Sequence, residues 1–240
     1  VSESHVPSYT KTPTLEYGEV LTEGLAAMHA HWWGRERLDR AGEQIPTSSR
    51  INRFVDLGRS GAHHILDACA GELKSHWPAV ILELYDRHPP VMAERARDGS
   101  GFTLIHGDVN GGNVLVPIEG SRPLYLIDRQ PFDWSLTTWL GVYDVTYAIV
   151  HRWDPDIRRR LEIPLLKHYH EHLLRRGVSG YDWEQLWYDY RLCAVMSVYV
   201  ATEWCRGGVN WDTHEYWMPM LQKAMTAIDD LDCRSLWQPA

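Results

Sequence analysis

Asp108, Asn113 and Asp128 each stand at the end of a short apolar run within residues 103–130, TLIHGDVNGGNVLVPIEGSRPLYLIDRQ. A carboxylate, an amide and a second carboxylate are the groups that phosphoryl transfer uses. One carboxylate orients a hydroxyl and accepts its proton; an amide oxygen and the other carboxylate hold Mg2+ against nucleotide phosphates. The elements that must position them follow from the residues between. Thr103-Leu104-Ile105 is a brief β-type run that His106-Gly107-Asp108 ends. Val109 to Gly112 is a loop with two glycines, and Val114-Leu115-Val116 is a second strand. Pro117, Gly120, Ser121 and Pro123 supply turn chemistry before a third strand, Leu124 to Ile127, which Asp128 closes. A hairpin of the last two strands brings the three polar residues together. A plainer reading, in which Asp108 and Asn113 only cap a tight turn, leaves Asp128 without a role.

The 240 residues are enough to bury a substantial core. Twelve Trp and twelve Tyr against three Phe favour half-buried surfaces and ligand sites as well as cores. A net charge of −8 and the lack of a Lys/Arg-rich run argue against a nucleic-acid partner. Cys69, Cys193, Cys205 and Cys233 form no C-x-x-C pair and read as buried free thiols. No apolar run reaches the ~18 residues of a membrane span. The polar start, VSESHVPSYTKTP, has no signal pattern, so no membrane partner and a cytoplasmic location are expected.

The motif His106-Gly107-Asp108, four residues, Asn113, then Ile127-Asp128 resembles the catalytic segment of the aminoglycoside phosphotransferase and choline kinase group. That group is the small-molecule branch of the protein-kinase-like fold. The resemblance implies an α+β, predominantly helical C-terminal lobe with a small β-hairpin carrying the catalytic loop. It implies ATP and Mg2+ as cofactors and a small-molecule hydroxyl as acceptor. Asp108 would be the base, Asn113 and Asp128 the metal ligands, and His106 a support of the loop. Asn110 occupies the place where protein kinases carry a lysine aimed at the γ-phosphate, and would offer a neutral hydrogen bond there. Two positions depart from or follow the pattern after Ile127-Asp128: Arg129 replaces an aromatic residue, whereas Gln130 keeps an amide. The departure at Arg129 bears on local packing and on the substrate entrance. The segment GVYDVTYA resembles the family's next helix start, with Asp144 as an N-terminal cap that braces the loop.

By the same resemblance residues 1–12 are a hinge segment and residues 13–240 the catalytic and acceptor-binding lobe. The glycine-rich loop and strand lysine of an ATP-binding N-terminal lobe are not found in these residues. The lysines, Lys11, Lys74, Lys167 and Lys223, lie in a loop or in helical patterns.

Along the chain, Thr12 and Pro13 read as the start of a helix bearing Leu21, Leu25, Met28, His29 and Trp32. Residues 35–61 read as variable, with Pro46-Thr47-Ser48-Ser49 as a loop, 62–76 read as helix, and Pro89-Pro90 as a helix break. His63 and His64 read as surface histidines. Residues 156–176 form a helix in which His168 and His172 share a solvated face. A long helix follows Tyr181-Asp182, and a last one spans 211–231. In these C-terminal helices Trp204, Trp211 and Glu215, with Glu203, Asp212, Tyr216 and Trp217, are the candidate acceptor pocket. Aromatic and acidic groups together would cage an ammonium or stack on a flat ring. The general look resembles the ecdysteroid-kinase-like and choline-kinase-like branches. A non-catalytic, pseudokinase-like binding lobe is the alternative function. A metal-dependent hydrolase has less support, because no metal-ligand histidine cluster accompanies the carboxylates.

Overall fold

The structure is a computed structural model that describes residues 3–119, 123–129 and 136–238. It is α+β and predominantly helical, with two small antiparallel sheets. Among the described residues no helix is long and apolar enough to cross a membrane.

Helix α7, Trp183–Glu203, is the axis of the core. Asp182 caps it by accepting the Gln185 N–H at 2.8 Å. Every residue from Leu192 to Tyr199 is buried, as expected of a helix surrounded by others. Helices α3 (Ser48–Cys69), α5 (Val142–Arg152) and α8 (His214–Asp230) pack around it. A second pair, α1 (Leu15–His31) with α6 (Pro155–Arg175), flanks them. Thr14, not Thr12, caps α1 by accepting the Tyr17 N–H. At the α1–α6 interface His168 hydrogen-bonds Thr22 at 3.0 Å, and His172 is buried. The face expected to be solvated at His172 is thus covered by α1.

Helix α2 (Arg35–Arg40) and the first half of α3 occupy much of residues 35–61, and Ser48 and Ser49, expected in a loop, open α3. Helix α4, Trp77–Asp98, runs through Pro89-Pro90 without a break. Pro89 cannot bond the Tyr85 carbonyl one turn back. That carbonyl instead accepts the Arg59 guanidinium at 2.7 Å from α3. A buried ion pair ties α4 to α7: Arg95 donates to Asp189 at 2.7 and 2.9 Å, and Tyr181 donates to the same carboxylate.

The first sheet has the order β1-β3-β4, from His5–Pro7, Val114–Pro117 and Tyr125–Leu126. The expected lead-in segment therefore contributes a strand, with Val6 opposite Val116. The second pairs β2 (Phe102–Leu104) with β5 (Thr138–Leu140), Thr103 opposite Trp139. The expected β3–β4 hairpin is present, with Val114 opposite Leu126. The loop of residues 105–113 leaves the second sheet and enters the first, so it is anchored at both ends.

Candidate active site

The loop is held from below by Asp144. This residue lies in the first turn of α5 and is fully buried. It is not the cap of its own helix; Gly141 occupies that place. Its carboxylate faces outward to the loop and accepts the His106 N–H at 2.6 Å and the Gly107 N–H at 2.9 Å. His29 Nε2 lies 3.0 Å from the same carboxylate, and His29 Nδ1 is 2.8 Å from the Tyr169 hydroxyl. Burial pushes the Tyr169 pKa well up, so the hydroxyl keeps its proton. Its donation to Nδ1 leaves Nε2–H aimed at Asp144. Gly107 has φ +83°, a conformation that favours glycine, and this turns two successive N–H groups toward one carboxylate.

His106 ties the loop to the hairpin. Its Nε2 donates to the Ile127 carbonyl at 2.7 Å, and its Nδ1 accepts the Asp108 N–H at 3.3 Å. The Ile127 N–H in turn donates to the Asn113 carbonyl at 3.0 Å. Ile127, the residue before Asp128, is thereby bonded to the loop through both its N–H and its carbonyl. Gly111 lets the loop meet the N-terminal segment closely: a Cβ there would lie 2.9 Å from Tyr9 Cβ.

Asp108 stands where these restraints meet. One carboxylate oxygen accepts the Tyr147 hydroxyl at 2.8 Å, and the other accepts Asn113 Nδ2 at 3.0 Å. Burial, reinforced by the Asp108 charge, pushes the Tyr147 pKa well up, so Tyr147 remains a donor. Asn113 Nδ2 also donates to the Asp108 carbonyl at 3.0 Å, leaving its Oδ1 without a protein donor among the described residues. Asn110 turns its side-chain oxygen back into the loop, accepting Gly112 N–H at 2.7 Å and Asn113 N–H at 3.3 Å. Only its amide nitrogen remains to meet a ligand.

Asp128 is exposed, and its carboxylate makes no hydrogen bond or ion pair with a described residue. Its φ of +55° is left-handed, a conformation that Asp tolerates better than most residues. The backbone thus brings Asp128 beside Asn113, and the two offer the hard oxygen donors that suit Mg2+. Arg129 donates to the carbonyls of Ile105 and Thr137, joining β4 to the second sheet where an aromatic residue was expected to pack. Gln130 lies outside the described residues, as do Gly120 and Ser121 of the expected turn.

A cavity of about 360 Å³ opens beside Asp108. Gly107, Asp108 and Asn110 form one wall, and Leu136, Trp204 and residues of α3, α5, α7 and α8 supply the rest. Its aromatic lining is Phe54, Tyr143, Tyr147, Tyr199 and Trp204, with Arg152 and Glu203 as further charged groups. The structure therefore brings Trp204 and Glu203 to the cavity, but not Trp211 or Glu215. Trp211 is 60% exposed and stacks on His214 at 5.7 Å, and Glu215 is exposed in the first turn of α8. Neither contributes to the lining among the described residues. Tyr147 and Arg152 were missed in the sequence. The signal for Tyr147 was the spacing Tyr143, Tyr147, His151, one helix face; Arg152 lies off that face and had no such signal.

Cys69, Glu72 and His214 approach one another with ligand-type atoms within 4.8 Å, a grouping that the sequence did not reveal. His214 Nε2 is already 3.1 Å from the Glu72 carboxylate, and the trio shares no residue with the cavity.

Comparison of the chain with protein-family models, with curated proteins and with solved structures finds no match.

Proposed function

We propose that this chain is the catalytic and acceptor-binding lobe of a protein-kinase-like fold, and that it transfers the γ-phosphoryl group of ATP to a hydroxyl of a small molecule. The observation that carries the reading is the setting of Asp108. A carboxylate oriented by Tyr147 and Asn113 projects from a braced loop at the wall of a cavity large enough for a small molecule.

An acceptor in the cavity would present its hydroxyl to Asp108. The hydroxyl proton passes to the Asp108 carboxylate as the hydroxyl oxygen bonds the γ-phosphorus and the bond to the ADP oxygen breaks. Tyr147 holds the carboxylate oxygen it bonds, so the other oxygen and its proton-accepting direction are defined. The donor set at Asn113 and Asp128 fits Mg2+, which when bound offsets charge on the phosphate oxygens. The grip on the rest of ATP belongs, by the resemblance, to an N-terminal lobe.

The test is to incubate the protein with Mg·ATP and a panel of alcohols, reading ADP release and phosphorylated product by mass spectrometry. Asp108→Asn is expected to lower turnover by about 10²–10⁴-fold. Turnover of Asp108→Asn at the wild-type rate would overturn the assignment of Asp108.

One observation favours the non-catalytic alternative: each lysine is engaged away from the loop. Lys11 donates to the Pro117 and Ile118 carbonyls, and Lys223 to the Arg152 carbonyl. Lys74 meets Asp229, and Lys167 lies over Trp183. Thermal unfolding of the full-length protein, with the ATP-gripping lobe that the resemblance implies, with and without Mg·ATP separates the two readings. A Mg2+-dependent rise in Tm supports transfer, and its absence supports the binding lobe.

A further inference from the structure

We propose that the cavity selects acceptors carrying one anionic group, with a flat apolar body between a hydroxyl at Asp108 and a carboxylate-like anion at Arg152. That the hydroxyl end is the reacting end rests on the phosphotransferase reading above; selection by charge stands on the cavity itself.

Two carboxylates and one guanidinium line the cavity, and what separates them is which already has a partner. Three ionisable charges line the cavity among the described residues: Asp108, Glu203 and Arg152. Asp108 already accepts from Tyr147 and Asn113. Glu203 lies 3.3 Å from the Arg206 guanidinium, one turn beyond it. The Arg152 guanidinium, in contrast, has no hydrogen-bond or ion-pair partner among the described residues. Nearby groups do not cancel it. Lys223 binds the Arg152 carbonyl at 2.9 Å and brings a second positive charge, only loosely met by Asp154 at 3.8 Å. His151, the next residue back, is buried and stays neutral, its pKa pushed down to about 3 by burial and by Arg152.

Tyr147, which bonds Asp108, and Arg152 lie five residues apart on α5, an axial rise of ~7.5 Å, so the two groups stand at different levels of the cavity wall. The lining also includes the aromatic side chains of Phe54, Tyr143, Tyr199 and Trp204, apolar surface for a flat body. A polyamine would bring several ammonium groups against an unpaired guanidinium and find both carboxylates engaged. The cavity disfavours it on electrostatic grounds.

Three probes of one shape and different charge test this: neutral naphthol, a hydroxynaphthoate with its two groups on opposite rings, and a hydroxynaphthyl trimethylammonium. Binding to the protein is read by calorimetry without nucleotide. The hydroxynaphthoate is expected to bind at least about tenfold more tightly than naphthol, and the cation more weakly than either. Arg152→Met should bring the hydroxynaphthoate down to the level of naphthol, and Arg152→Lys should keep part of the preference. Trp204→Ala should weaken all three. Equal binding of the three probes, tighter binding of the cation, or a preference that survives Arg152→Met would overturn the proposal. So would an Arg152→Met protein that loses Mg·ATP binding and keeps the preference, because Arg152 would then serve the donor phosphates. A charge preference without phosphorylated product sustains this selection and removes the phosphotransferase reading. Efficient phosphorylation of a polycationic alcohol does the reverse.

Discussion

The two carboxylates flanking Asn113 are supported in opposite ways. Asp108 is bonded through both oxygens, on a loop whose N–H groups run into the fully buried Asp144. Asp128 sits one strand away, exposed, in a left-handed conformation, with its carboxylate unengaged by described residues. The first end is organised before any ligand arrives, as a base that must aim at one proton requires. The second leaves its oxygens available, as suits a ligand for a hard cation that keeps water in its shell.

The comparison breaks most easily at Asp144. Asp144→Ala leaves two loop N–H groups and His29 without their buried partner, and should cost ~3–5 kcal/mol in urea unfolding. A loss under about 1 kcal/mol would mean the loop is not held from below. His151 sharpens the same end through pH. The unfolded chain protonates this imidazole near pH 6.5, whereas in the folded chain its pKa is pushed down to about 3. The unfolded state therefore binds more protons between those values. The His151 contribution to stability is whole above pH ~6.5 and falls as pH drops toward 3, by up to ~1.4 kcal/mol per pH unit. His151→Phe should flatten that slope in acid unfolding. At neutral pH it should be within ~1 kcal/mol of wild type, since neither ring nitrogen has a partner among the described residues. Tyr147→Phe removes one hydrogen bond to Asp108. It should lower kcat about tenfold and move the acceptor KM less, which steady-state kinetics would show. The smallest effect belongs to the open end. Asp128→Gly relieves the left-handed backbone and should raise stability by ~0.5–1 kcal/mol while abolishing the Mg2+-dependent rise in Tm. Destabilisation by Asp128→Gly would show that this end is also built in.

The candidate site was legible in the sequence to the extent that local backbone positions it. Asp108, Asn113 and Asp128 are brought near one another by one loop and one hairpin, and strand punctuation reveals both. The wall opposite was not legible, because it depends on which helix faces meet. Trp204, Trp211 and Glu215 have the same composition signal, and only packing separates the residue that lines the cavity from the two that do not. The first half of α3 was not legible for a related reason. Ile51, Val55, Gly58, Ala62, Ile65 and Cys69 form one buried stripe at spacings of four and three, but many charged residues surround it. Gly61, beside that stripe, admits α7: a Cβ there would meet the Thr202 carbonyl oxygen at 1.9 Å. Pro89 misled because its cost is met elsewhere, at the Arg59–Tyr85 contact between α3 and α4.

The two N–H groups that His106 and Gly107 give to Asp144 carry a consequence for exchange with solvent deuterium. Amides in a connecting loop normally exchange within the dead time of the measurement, because they open without unfolding the rest. These two point into a carboxylate that solvent does not reach. Their protons can leave only when α5 parts from the loop, so they should exchange at the pace of the helical core. The neighbouring Asn110 N–H, for which no acceptor is found among the described residues, should exchange far sooner.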